Sequence, residues 1–238
     1  KKCVVGGIAK GSGMIHPNMA TMLVFVTSDV DISPEMLQKA LSHDVEDSFN
    51  MISVDGDTST NDMVSVMASG LAGNKKITGE GEDYSAFCEA LGAVTKNLCR
   101  KIAKDGEGAT KLITCRVSGA KDKPTAKIVA KSVISSSLFK AAMFGADANW
   151  GRVLCAVGYS GADIDVNKID VSFSSKNGSV EVCAAGSGVD FSEEKAKDVL
   201  SSDEVSVAIN LNSGDFEATA WGCDLTYDYV KINGDYRT

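Results

Sequence analysis

Gly7-Ile8-Ala9-Lys10-Gly11-Ser12-Gly13-Met14-Ile15-His16-Pro17-Asn18-Met19-Ala20-Thr21-Met22-Leu23 reads as the end of one strand, a loop rich in Gly, Pro and Asn, and the start of a second strand. The strands are predicted over 4–8 and 22–27, so the loop spans a strand-to-strand junction, where chemistry is often carried. Its glycines suggest a phosphate cradle. A P-loop, however, needs G-x-x-x-x-G-K-[ST], and here Lys10 precedes the relevant glycine.

Outward from this loop, Ser33-Pro34-Glu35 supplies an N-cap, a proline for the first helical position and an early acid, predicting a helix over 34–49. A short strand is expected over 51–54, then the polar turn Asp55-Gly56-Asp57-Thr58-Ser59-Thr60-Asn61-Asp62, then an apolar helix over 63–71. Phe87, Leu91, Val94, Leu98 and Ile102 recur at helical spacing and predict a core-facing helix over 84–104. A strand over 112–117 and helices over 126–133 and 138–143 follow, and 144–152 reads as a second rigid loop. The last third offers strands over 171–174, 180–184, 205–211 and 216–221, with helices over 192–200 and 225–231. Strands and helices in runs point to an α/β chain of the α+β layered kind. The absence of repeats and linkers leaves only a soft division near 121–124.

The chain has 238 residues, 44% of them hydrophobic, enough to build a core. Its net charge of −8, with no Lys/Arg cluster, argues against binding nucleic acid through its phosphates. The seven cysteines are scattered, odd in number and never spaced C-x-x-C, which speaks against a disulfide scaffold or a zinc site. They read as reduced core residues of a cytoplasmic or organellar protein. No run approaches the ~18 apolar residues of a spanning helix. The sequence starts without Met and reads as opening within a strand, so an upstream segment is expected.

Two histidines limit the imidazole chemistry. No G-x-S-x-G occurs, His43 reads as a solvated helix residue, and His16 and His43 sit in contexts too different for a metal site. Thr21 offers a route without imidazole, because a threonine with a free α-amine carries its own base, of pKa about 7.7–8.0. Exposing that amine requires the Ala20–Thr21 bond to break. Attack by Thr21 Oγ on the Ala20 carbonyl would do this if the loop held the peptide strained and donors stabilised the oxyanion. The ordinary reading of Thr21 is a β-branched residue opening a strand, and residue chemistry permits the mechanism without demanding it.

The 7–23 stretch closely resembles the self-cleavage site of the ornithine acetyltransferase family, also called glutamate N-acetyltransferase or the ArgJ family. The 53–62 stretch, Asp105-Gly106-Glu107-Gly108-Ala109-Thr110-Lys111, Gly145-Ala146-Asp147-Ala148-Asn149-Trp150-Gly151-Arg152 and the ending over 229–238 are similar to that family in the same order. The resemblance thus covers the whole chain. It implies an ArgJ/DmpA-like layered sandwich of N-terminal-nucleophile type, with 1–20 the tail of an α subunit and 21–238 the β subunit, paired as α2β2. It implies cleavage between Ala20 and Thr21, then ping-pong transfer of acetyl through Thr21 from N-acetylornithine to glutamate, releasing ornithine and N-acetylglutamate in cytoplasmic arginine biosynthesis. By the same resemblance Lys10 meets a substrate carboxylate, Glu107 an amine or ammonium, and Asn233 and Thr238 close the pocket. The oxyanion donors lie in the upstream segment. No cofactor, nucleic acid or membrane is implied, and use of acetyl-CoA as a co-substrate stays open. Each residue has an ordinary alternative: Lys10 a solvated cation, Glu107 a helix-end carboxylate, Asn233 and Thr238 part of a frayed tail. An amidohydrolase or aminopeptidase, and a non-catalytic amino-acid-binding relative, are the competing functions.

Overall fold

In the computed structural model, which describes residues 1–19 and 21–236, the chain forms two sheets with helices layered on them, a mixed α/β sandwich. Strand β1 (Val5–Lys10) pairs antiparallel with β2 (Leu23–Ser28), with Ile8 opposite Phe25 and Lys10 opposite Leu23. The loop between them therefore leaves and re-enters the sheet at one end. Helix α1 (Pro34–Val45) begins where expected, with Ser33 Oγ accepting from the Met36 amide at 3.3 Å. It stops at Val45, short of the predicted 49. The chain then takes a single 3-10 turn over Phe49–Met51 and only a two-residue strand, β3 (Ile52–Ser53), appears where 51–54 was expected.

The expected helix over 63–71 is instead strand β4 (Met63–Ala68), parallel to β2 in continuous register from Leu23↔Met63 to Ser28↔Ala68. Val64 and Val66 alternate with Met63 and Met67, and β-branched residues at period two fit a pleated surface better than a helix. The apolar length of the run hid that alternation. In the resulting β1-β2-β4 sheet, Val24 and Val26 are buried on one face, while Ile8, Leu23, Phe25, Met63 and Met67 are exposed.

Helix α2 (Glu82–Lys104) buries Phe87, Leu91, Leu98 and Ile102 as its spacing predicts, and it packs against both β1 and the second sheet. Strand β5 (Leu112–Ala120) leads to α3 (Lys123–Ser135) and α4 (Ser137–Phe144). Part of the expected second loop is helix α5 (Trp150–Gly158), capped by the Asn149 side chain and burying Val153, Ala156 and Val157. Two glycines, Gly151 and Gly158, weakened its helical signature. Strands β6 (Asp170–Ser175), β7 (Gly178–Ala184) and β8 (Ser187–Gly188), helix α6 (Glu193–Leu200), strands β9 (Glu204–Asn210) and β10 (Phe216–Cys223) and helix α7 (Tyr227–Asp235) complete the chain. The large sheet has the order β3-β10-β5-β9-β6-β7-β8.

Cys99, Cys115, Cys183 and Cys223 are core residues as expected, but Cys155 is exposed and Cys3 and Cys88 are half-buried. Cys155 falls on the outer side of α5, opposite the face that packs. No helix among the described residues is long and apolar enough to cross a membrane.

Candidate active site

Asp55 organises the loop between β1 and β2. One carboxylate oxygen accepts from the Met14 amide at 2.7 Å, the other from the amides of Ile15 and Asp57 at 3.1 and 3.2 Å. Met14 is held at φ 51°, in the left-handed region uncommon for a residue with a side chain. That twist turns the Met14 carbonyl to Thr21, whose Oγ donates to it at 3.1 Å, with the Gly13 carbonyl at 3.5 Å. The next stretch of loop is pinned by Thr58 Oγ donating to the His16 carbonyl at 2.8 Å and by the Met19 amide donating to Asn50 Oδ1 at 2.8 Å.

The nitrogen of Thr21 meets three oxygens: Ser59 Oγ at 2.5 Å, Asp62 Oδ1 at 3.1 Å and Asn61 Oδ1 at 3.2 Å. A peptide amide has one hydrogen to give; an ammonium has three. Asp62 also accepts from the Met22 amide at 2.9 Å, which fixes its carboxylate beside the nitrogen. The Asp55–Asp62 turn, recognisable in the sequence but without an assigned role, therefore supplies both the clamp on the loop and the acceptors around Thr21. The signal for this was the density of Asp, Ser and Asn in eight residues.

Thr21, Lys10, Glu107 and Asn233 line one cavity of about 1190 Å³, together with Lys101 and Tyr236. Lys10, the last residue of β1, donates to the Thr21 carbonyl at 3.3 Å. Glu107 sits in a turn anchored from both sides. Its amide donates to the Ser12 carbonyl at 3.0 Å, and Ser12 Oγ donates to the Asp105 carbonyl at 2.8 Å. Buried Asp224 takes the amides of Thr110 and Lys111 at 2.8 and 2.9 Å. A Cβ on Gly13 would lie 2.4 Å from the Glu107 carboxyl carbon, so only glycine lets this carboxylate approach the loop.

Helix α7 covers this turn. Thr226 Oγ donates to the Gly108 carbonyl at 2.6 Å, and Gly108, at φ +67°, leaves no room for a Cβ beside the Tyr229 amide. Asn233 Nδ2 donates to Glu107 Oε2 at 2.9 Å, and the Tyr229 hydroxyl donates to Asp55 at 3.3 Å. Burial, followed by the Asp55 carboxylate, pushes the Tyr229 phenol up to about 12, so it stays a donor. The structure thus brings together Lys10, Thr21, Glu107 and Asn233. The two remaining candidates, Ala20 and Thr238, lie outside the described residues.

His16 does not line this cavity. Its Nδ1 lies 3.1 Å from Ser53 Oγ and 3.5 Å from Ser135 Oγ, in a separate groove of about 540 Å³ along α3. Burial, with the charge of Lys131, lowers it to about 4, so the ring is neutral near pH 7. His43 is exposed on α1. The Gly145–Arg152 stretch also stands apart from the cavity and serves packing. Asn149 caps α5 through the Arg152 amide at 3.1 Å, and the Arg152 guanidinium donates to the Leu138 carbonyl at 2.8 Å.

Among proteins of similar sequence, an arginine biosynthesis bifunctional protein ArgJ 1 from Clostridium acetobutylicum is 58% identical over 238 residues, 100% of this chain and 58% of its own length. Proteins named arginine biosynthesis bifunctional protein ArgJ from Caldanaerobacter subterraneus subsp. tengcongensis and Thermotoga neapolitana are 54% and 52% identical over the whole chain, which covers 59% and 60% of them. The chain therefore spans somewhat under two thirds of the length of these relatives. The crystal structure of the arginine biosynthesis bifunctional protein ArgJ from Bacillus halodurans superposes with a TM-score of 0.84 at 47% identity, covering 90% of this chain and 98% of that one. With a family model matched over residues 1–238 and relatives more than half identical across its full extent, this chain belongs to the ArgJ family.

Proposed function

We propose that this chain carries the nucleophile and the amino-acid pocket of an enzyme that moves acetyl from N-acetylornithine to glutamate in arginine biosynthesis, by a ping-pong mechanism through an acetyl ester on Thr21. The observation that carries this reading is the set of three acceptors around Thr21 N, a cage suited to an α-ammonium and surplus to the needs of a peptide amide. The names of the relatives agree with it.

Maturation begins when Thr21 Oγ attacks the Ala20 carbonyl, giving an ester that water hydrolyses to leave the Ala20 carboxylate and a free Thr21 amine. In turnover the neutral amine, of ordinary pKa about 7.7–8.0, accepts the hydroxyl proton as Oγ attacks the acetyl carbonyl of N-acetylornithine. The resulting ammonium returns the proton to the departing ornithine nitrogen, leaving acetyl-Thr21. Glutamate then attacks this ester through its amine, and N-acetylglutamate leaves as Oγ regains its proton. Asp62 beside the amine stabilises its charged state between the two transfers. Lys10 holds the amino-acid carboxylate and Glu107 a substrate ammonium, with Asn233 and Thr238 closing the far side. Donors for the oxyanion come from the upstream segment, which forms the α subunit of an α2β2 assembly with 21–238 as β. The assembly is cytoplasmic and uses no cofactor, with acetyl-CoA as a candidate second acetyl donor.

The test uses the full-length protein. N-terminal sequencing should find a chain beginning at Thr21, and acetyl-labelled N-acetylornithine plus glutamate should give labelled N-acetylglutamate. Thr21→Ala should lose both. Release of free acetate regardless of glutamate would point to a hydrolase instead, and binding without turnover to a non-catalytic relative.

A further inference from the structure

Lys131 lies on α3, outside the Thr21 cavity, and its ammonium reaches back to the main chain of the cleavage loop. Its Nζ donates to the Asn50 carbonyl at 2.5 Å and to the Pro17 carbonyl at 3.3 Å. Asn50 in turn accepts from the Met19 amide at 2.8 Å and is braced by donating to Glu46 at 3.1 Å. One cation thus bonds the loop directly at Pro17 and, through the backbone of Asn50, supports the residue that holds Met19. The nearby carboxylates do not neutralise it: Glu46 and Asp47 pair with Lys127, at 3.7 and 2.9 Å. A largely buried ammonium whose direct partners are carbonyls is expensive to keep for stability alone.

We infer that Lys131 is a positioning residue for self-cleavage, holding the segment that enters Thr21 in the geometry needed for attack on the Ala20 carbonyl. The inference rests on the proposed cleavage at Thr21. Before cleavage, a displacement of Pro17 or Met19 is passed along the chain to the scissile bond. After cleavage that covalent link is gone, and Thr21 is held by Ser59, Asn61, Asp62 and its own strand. Lys131 therefore matters for maturation and not for acyl transfer. The groups facing it are Cys99 of α2, His16 of the loop, Glu46 beyond α1 and Lys127 of its own helix. Burial brings the Lys131 ammonium down to about 8, so its charge is lost in mildly alkaline solution.

The full-length protein, purified as precursor or followed from synthesis, provides the test. Lys131→Met should slow appearance of the Thr21 terminus by roughly 10- to 100-fold, the scale of a small misplacement at a reacting centre, while acetyl exchange per Thr21 terminus stays at the wild-type value. Lys131→Arg, which keeps a charge and donors, should restore most of the cleavage rate. The ratio of the Lys131→Arg rate to the wild-type rate should rise between pH 7 and 9.5, since only the lysine loses its proton. Equal cleavage rates in wild type and Lys131→Met, or equal losses in cleavage and exchange per terminus, overturn the inference. If Lys131→Met fails to fold, a flat Lys131→Arg to wild-type ratio across that pH range overturns it. Wild-type protein that never cleaves removes the Thr21 reading itself, a result distinguishable from the others.

Discussion

On its amine side Thr21 meets three side-chain oxygens, all from the turn at 59–62, whereas on its hydroxyl side the described residues offer only the carbonyls of Gly13 and Met14. Acceptors around a nitrogen favour its protonated state and suit a base that must take up and return a proton. Acceptors around the hydroxyl hold its hydrogen but give nothing to a developing oxyanion, which needs donors. The two sides also differ in origin. The amine cage is local to one turn that β4 sets against β2, since Met63 N donates to the Met22 carbonyl at 2.8 Å. The hydroxyl side depends on a strained Met14 held by Asp55. In the proposed mechanism the base is thus complete within this chain, and the oxyanion stabiliser is the part assigned to the upstream segment.

Removing what the two sides share has the largest effect. Thr21→Ala should abolish the new terminus and lower exchange by at least ~10³-fold, the scale seen when a nucleophile is removed. Asp62→Asn breaks the amine side alone. It keeps the shape of the turn but removes the carboxylate, so exchange per Thr21 terminus should fall by about 10²-fold, the lower range for a misplaced base. A negative charge stabilises the ammonium, so its loss lowers the amine pKa. The rising limb of exchange against pH should therefore move to lower pH in Asp62→Asn. A limb that stays in place would show that the amine is not the titrating base.

Glu107→Gln sharpens the comparison from the substrate side. The amide retains an oxygen for Asn233 and preserves the contact at 2.9 Å, but it cannot pair with a substrate ammonium. Steady-state kinetics should show KM for the amino-acid substrate raised about tenfold with a smaller change in kcat, as for loss of uniform binding. A fall in kcat at unchanged KM would move Glu107 from binding into the chemistry at the hydroxyl side.

How much of this was legible in the sequence depends on how local the signal was. Ser33-Pro34 at the start of α1 and the Phe87-Leu91-Leu98-Ile102 stripe of α2 are set by neighbours a turn away, and both are legible in the sequence. Strand β4 escapes a sequence reading because Met63 to Ala68 is apolar except for Ser65, and only pairing with β2 makes its period-two face matter. Helix α5 is hidden because the residues that make it amphipathic start only after Asn149 and are interrupted by Gly151 and Gly158. Lys10, Glu107 and Asn233 came from resemblance, and their meeting in one cavity required β1, the 105–111 turn and α7 to converge. Ser59, Asn61 and Asp62 had no assigned role because the sequence does not show which face of that turn meets Thr21. Lys131 gave no signal at all, as a lysine on a helix is ordinarily solvated.

His16 provides the smallest effect and a control on the identity of the base. Its pKa is about 4 in the folded chain, below the ordinary value of 6.5. Between these values the unfolded chain binds a proton that the folded chain refuses. Its contribution is fully present above pH 6.5 and is lost as pH falls towards 4. Discounted for the half-exposed ring, this amounts to ~1 kcal/mol. His16→Gln should reduce by that amount the difference in unfolding free energy between pH 7 and pH 4.5, measured by urea denaturation. In protein already cleaved, the same variant should leave the pH profile of exchange where it was. An imidazole acting on Thr21 from either side would instead carry the acid limb away with it, and the contrast between a built amine side and a bare hydroxyl side would then describe the wrong base.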